Sequence, residues 1–213
     1  MQSNRDSALK IAEFLLQIKA VKLQPENPFT WASGWKSPIY CDNRITLSYP
    51  KIRTHIRQKY VDAILENFGK PEVIAAVATA GIAQGALIAQ DLGVPFVYVR
   101  SSSKGHGMQN QIEGHLEPGQ SVVVIEDLIS TGKSSLQAVH ALRDAGASIK
   151  GLAAIFTYGF DHATKSFMEA GVPLITLTDY SYLISQAVKS GYVDQKQVKS
   201  LEKWRVSPEA WGQ

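Results

Sequence analysis

The residues best placed to do chemistry stand in one run. Residues 122–125 are four consecutive β-branched side chains, the pattern of a strand buried on both faces, and two acids, Glu126 and Asp127, follow directly. A turn rich in Ser, Thr and Gly comes next, and a helix is predicted over 134–145. Such a turn exposes unpaired backbone N–H groups, and the helix N-terminus adds its positive dipole end. Together they make a phosphate cradle. Gly132 lets the backbone approach closely, and hydroxyls at Ser130, Thr131, Ser134 and Ser135 add donors. Two carboxylates beside a cradle do not suit an anion alone. They suit a ligand that also presents hydroxyls or a metal, because carboxylates accept from the one and coordinate the other. Gly132-Lys133-Ser134 invites a nucleotide-binding P-loop reading, but that motif needs another Gly five residues before the Gly-Lys pair, where this chain has Asp127. An acid pair alone after a strand is most simply a capped strand-to-helix connection. The fourteen residues together are more specific than that.

The elements that must position this run alternate along the chain. Strands are expected at 73–78, 96–100, 122–125, 149–156 and 174–177, with helices at 82–92, 134–145 and 163–170. A first helix carries Leu9, Phe14, Leu15 and Ile18, with Asp6 or Ser7 as its expected cap. Pro50 suits the first turn of a helix bearing Ile52, Ile56, Ile64, Leu65 and Phe68. Residues 24–48 are rich in Pro and aromatics and read as irregular or short-stranded, residues 101–119 as a polar loop, and two short helices close the chain. Alternating strands and helices imply an α/β fold with a parallel sheet covered on both faces. Ligands of such sheets bind outside the carboxyl ends of the strands, so chemistry belongs to the residues that follow each strand.

Composition sets the outer bounds. At 213 residues the chain has room for one domain with a full core, and 45% hydrophobic against 19% charged residues excludes a disordered chain. The net charge of +3 gives no basic stripe and no reason to expect a nucleic-acid partner. Cys41 is the only cysteine, so no internal disulfide can form, and it has no nearby base to make it a nucleophile. Residues 1–10 lack the apolar core of a signal peptide, and no apolar run approaches a membrane span. A cytoplasmic location without membrane attachment is the expectation.

The run 122–135 resembles the phosphoribosyl pyrophosphate (PRPP) motif of the type I phosphoribosyltransferases: apolar strand, two acids, two apolar residues, then a Thr-Gly-rich phosphate loop. The resemblance implies that Glu126 and Asp127 hold the ribose hydroxyls and that Ser130, Thr131, Gly132, Lys133, Ser134 and Ser135 hold the 5-phosphate. Thr79, Ala80 and Gly81 follow a strand and precede a helix, as does that family's pyrophosphate loop. Arg100, Lys104, His106 and Gly107 match the mobile catalytic loop of the orotate branch, with Ser101 where a second basic residue is usual. Residues 29–34 with Ser37-Pro38 resemble that branch's N-terminal hood, with Ala32 in place of its usual Lys. An Arg common after the strand ending near Phe156 is absent here, where Thr157-Tyr158-Gly159-Phe160 stands.

The fold implied is that of the type I family: a central parallel sheet flanked by helices, residues 1–48 forming an N-terminal helix and hood, and residues 49–213 the PRPP-binding core. The activity implied is transfer of ribose 5-phosphate from PRPP to orotate, in the route to UMP. Lys104, His106 and Asp127 are the expected catalytic residues, with Arg100 on PRPP. Tyr40, Lys36, Arg44 and Ser130 are the expected orotate contacts, Tyr40 stacking on the ring and Lys36 or Arg44 standing in for the missing Lys. Mg²⁺ is the implied cofactor, held mainly by PRPP and water, and a homodimer with a shared active site is the implied assembly. No second His or Cys stands at ligand spacing from His106, so no protein metal cage is expected. Trp204 and Trp211 are read as packing or interface residues. A type I transferase for another base, or a PRPP sensor without turnover, remains the alternative.

Overall fold

The computed structural model describes residues 4–31, 34–101 and 111–212. Helix α1 (Arg5–Gln17) is capped by Asn4, whose side chain accepts from the backbone of Asp6, so the cap lies two residues before the earlier of the two expected. Four short strands follow: β1 (Val21–Leu23), β2 (Phe29–Thr30), β3 (Lys36–Ser37) and β4 (Ile39–Cys41). They pair as two small antiparallel ribbons, β1 with β4 and β2 with β3. A 3₁₀ turn (Asn43–Ser48) leads into α2 (Pro50–Phe68), where Pro50 occupies the first turn as its missing N–H allows.

The central sheet has six strands in the order β10-β9-β8-β5-β6-β7. These are β5 (Val73–Val77), β6 (Phe96–Val99), β7 (Ile112–Glu113), β8 (Ser121–Ile129), β9 (Ser148–Thr157) and β10 (Leu174–Asp179). All neighbours pair parallel except β6 with β7. Between them run α3 (Gly81–Leu92), α4 (Lys133–Asp144) and α5 (Asp161–Glu169), and α6 (Tyr180–Lys189) and α7 (Gln195–Val206) close the chain. Helix α3 sits on the face bearing Ala76 and Phe96, which crowd Gly85. Helix α4 borders Val77 and Val99, the alternate residues of the same strands, so the two helices cover opposite faces. The β8 residues Val122, Val123, Val124 and Ile125 are fully buried, as a doubly covered strand requires.

Two boundaries differ from expectation for a physical reason. Strand β8 continues past Ile125 through the acid pair, because β9 runs beside it as far as Thr157 and supplies ladder partners. Part of the expected polar loop, Ile112–Glu113, returns as β7 and pairs with the free edge of β6. Among the described residues, no helix is long and apolar enough to cross a membrane.

Candidate active site

The acid pair lies at the carboxyl end of β8, and its backbone is fixed from two other elements. The Tyr60 hydroxyl on α2 donates to the Glu126 carbonyl at 2.7 Å, and the Asn43 amide donates to the Asp127 carbonyl at 2.7 Å. These bonds satisfy polar backbone groups at the sheet's end.

The two carboxylates face different surroundings. Glu126 is only 5% exposed. One of its oxygens accepts from the Asp127 backbone at 3.1 Å, and the other from the Ser135 hydroxyl at 3.1 Å. Burial, then the neighbouring Asp127 charge, hold the Glu126 carboxyl well above the usual carboxylate range. Asp127 is half-buried. Burial raises its pKa too, while its hydrogen bonding with Glu126 and the positive charge of Arg44 act against that rise.

Two helix N-termini converge on this pair. Helix α4 starts at Lys133 behind Gly132, which holds the left-handed conformation with φ of 78°. A Cβ there would lie 2.7 Å from the Phe167 ring, so the turn is pressed against α5 and admits no side chain. Thr131, Lys133 and Ser134 are exposed around the cradle and Ser130 is half-buried, whereas the buried Ser135 hydroxyl is committed to Glu126. On the other side, Ala78, Thr79 and Ala80 lead into α3. A Cβ on Gly81 would lie 2.7 Å from the Ile125 carbonyl oxygen and 3.5 Å from the Glu126 Cα. The start of α3 therefore abuts the acid pair directly. Each N-terminus presents unpaired N–H groups to an anion, and the carboxylates stand between them.

Arg100 closes the far edge. Its backbone N–H donates to the Gln111 carbonyl at 2.9 Å, and its guanidinium lies 3.0 Å from the Glu113 carboxylate. A cavity of about 250 Å³ beside it is lined by Ala78, Arg100 and Ser134 among others. Lys104 and His106 lie outside the described residues, as does Ala32.

Among the residues expected to contact a base, Tyr40 is 40% exposed and packs against Phe29, with ring centroids 5.6 Å apart. The Arg44 guanidinium grips Asp42 through two bonds of 2.7 and 2.9 Å, and its charge is felt at Asp127. The Lys36 ammonium is instead turned to the Thr30 hydroxyl at 2.9 Å, on the outer ribbon. Of the two cations expected to stand in for the missing Lys, Arg44 is the one brought near the acid pair. Thr157-Tyr158-Gly159-Phe160 stands where the Arg expected after β9 is absent. Gly159 lies under Arg205 of α7, whose Nη2 is 3.2 Å from where a Cβ would stand.

Tyr60 and Asn43 were not legible in the sequence, since each meets the acid pair only through the fold and neither carries a local motif. Among the described residues, no cluster of three or more His, Cys, Asp or Glu side chains could hold a metal ion.

The comparisons with known proteins agree with this arrangement. The family model described as "Phosphoribosyl transferase domain" matches residues 47–174, which span both helix N-termini and the acid pair. The orotate phosphoribosyltransferase of Porphyromonas gingivalis is 57% identical over 202 residues, covering 95% of this chain and 96% of that one. The crystal structure of orotate phosphoribosyltransferase from Aeropyrum pernix matches with a TM-score of 0.72 at 27% identity, over 86% of this chain and 99% of that one. The Leishmania donovani UMP synthase structure matches with a TM-score of 0.76 at 27% identity; 92% of this chain covers 42% of that longer one. The match over nearly the full length of the bacterial relative includes residues 24–46, which the domain model leaves out. The chain therefore belongs to the orotate phosphoribosyltransferases, a branch of the type I phosphoribosyltransferase family.

Proposed function

We propose that this chain joins a ring nitrogen of orotate to C1 of the ribose of PRPP, releasing pyrophosphate and forming orotidine 5′-monophosphate for UMP synthesis. The observation that carries the reading is the convergence of two helix N-termini on one carboxylate pair. PRPP has the matching chemistry: a phosphate at one end, a pyrophosphate at the other and two adjacent hydroxyls between.

In this reading Ser130, Thr131, Gly132, Lys133 and Ser134 hold the 5-phosphate, and Ser135 fixes the turn by bonding Glu126. Thr79, Ala80 and Gly81 hold the pyrophosphate. Asp127 receives the ribose hydroxyls, and Glu126 sets its position. As the C1–O bond breaks, positive charge grows on the ribose ring and negative charge on the departing pyrophosphate. Asp127 favours the first. Lys104 and His106 favour the second as the loop closes and excludes water, with Arg100 at the loop's base. Tyr40 stacks on the base, while Arg44 pairs with its carboxylate and Ser130 adds a donor.

Mg²⁺ completes the proposal. When bound it neutralises charge on the leaving pyrophosphate. The half-buried Asp127 offers one carboxylate, the usual protein share when substrate phosphates supply the remaining ligands. Residues 1–48 serve as the helix and hood over the base, and residues 49–213 as the PRPP-binding core. The working unit is a cytoplasmic homodimer in which the loop of one subunit serves the site of its partner.

The test is consumption of orotate by the purified protein, followed with and without PRPP and Mg²⁺. Loss of orotate only when PRPP is present supports the proposal. Absence of PRPP-dependent loss at saturating substrate overturns it.

A further inference from the structure

The hood rests on the last helix of the chain. Its ribbons have two or three residues per strand, too few to hold a shape unaided. Trp204 of α7 is 0% exposed and meets four rings. Its centroid lies 5.5 Å from Trp31, Tyr158 and Phe160 and 5.7 Å from Tyr180, the first three in edge-on contacts. Trp31 belongs to the hood and follows β2 directly. It also contacts Tyr158 at 5.3 Å.

The contact passes on toward the base. The Trp31 indole donates to the Ile39 carbonyl at 3.1 Å, which ties the β2 ribbon to the strand that carries Tyr40. Tyr158 is buried, and its backbone N–H donates to the Ile129 carbonyl at 3.2 Å, at the end of the strand that carries the acid pair. Two further contacts join the same segments. The Gln197 amide donates to Glu26 at 3.3 Å, and a Cβ on Gly212 would lie 3.2 Å from the Lys36 Cβ.

Stability alone does not account for a tryptophan here. The Trp204 Nε1 has no hydrogen-bond partner among the described residues, and a buried donor left unpaired is unfavourable relative to an apolar ring. What the indole adds over a smaller side chain is reach, enough to touch the hood, the turn after β9 and α6 together.

From this geometry we infer that α7 sets the affinity for the base, with Trp204 as a positioning residue that holds the hood, and through it Tyr40, over the site. The inference rests on the orotate reading given above. PRPP, held by the N-termini of α3 and α4, lies outside this chain of contacts.

The experiment measures KM for orotate and for PRPP separately in Trp204→Leu, Trp31→Leu and the double variant, with folding checked by circular dichroism. Trp204→Leu is expected to raise the orotate KM about tenfold and to leave the PRPP KM within about twofold. Trp31→Leu should do the same, and the double variant should be no worse than either single, as for two members of one contact. If Trp204→Leu does not fold, Trp204→Phe and Trp31→Phe are expected to give the same split at about twofold to threefold. Folded variants whose two KM values stay put or rise together would overturn the inference. Failure of the native protein to use orotate would instead indict the reading on which it rests.

Discussion

Glu126 and Asp127 are adjacent acids in different surroundings, and the strand backbone is the reason. Neighbouring residues of an extended strand point to opposite faces, so one carboxylate is buried against Ser135 while the other stays half-open. The pair itself was legible in the sequence. Its division was not, because the apolar run stops at Ile125 and gave no sign that the strand continues through the acids. Replacing Asp127 with Asn should lower PRPP-dependent turnover about tenfold or more with little change in Tm, since the variant loses charge but keeps shape. Unchanged turnover would remove Asp127 from the ribose role. Glu126 makes a pH prediction. Its raised folded pKa favours the native state fully below the ordinary value of 4.5, and that contribution is lost as pH rises through the folded value. Glu126→Gln should therefore raise Tm at neutral pH relative to the native protein. The gain should vanish toward acid, as thermal melts across pH would record. A gain that did not depend on pH would contradict the burial of this charge.

The elements were legible where period and punctuation agree. Pro50 opens α2 and Gly146 ends the turn after α4, as the sequence implies. The interior strands were found from their short apolar runs, of which the β-branched 122–125 is the clearest. Misses fell where pairing, not pattern, decides structure. Strand β7 exists because β6 has a free edge, and Asn4 caps α1 by a bond to the second residue beyond it. The joint between α3 and β8 was equally hidden, since a Gly at a helix start has many uses. Its use here is proximity. Gly81→Ala would force a methyl against the Ile125 carbonyl and push α3 off the acid pair. The expected cost is about 1–3 kcal/mol of stability, read by denaturant unfolding, with a higher PRPP KM. A variant with native stability and native PRPP KM would mean the joint yields more readily than a 2.7 Å approach to the Ile125 carbonyl allows.

Over the described residues, a six-stranded sheet carries the acid pair at its carboxyl edge, and Trp31 of the N-terminal ribbons packs on Trp204 of the last helix. The proposed PRPP side rests on local motifs, the acid pair and the turns before α3 and α4, which are visible in the sequence. The proposed base side depends on placements that only the fold gives, such as Arg44 near Asp127, and no motif announces it. The proposed dimer makes its own prediction. Lys104→Ala should lower kcat far more than it alters orotate binding, because its charge acts once pyrophosphate begins to leave. Mixed dimers of Lys104→Ala with Asp127→Asn should recover part of the native rate if the loop acts across the interface. Mixed dimers with no recovery would confine each loop to its own subunit.

Base choice is the most direct test of the whole account, because it engages the PRPP site, the hood and the cations together. Orotate differs from uracil by a carboxylate, and a site built to pair that group rejects the analogue lacking it by leaving its donors unmatched. The decisive measurement is kcat/KM for orotate, uracil, adenine and hypoxanthine, each with PRPP and Mg²⁺. Rapid PRPP-dependent use of orotate is expected, with each of the other bases lower by about a hundredfold or more. Equal use of uracil, or preference for a purine, would contradict it.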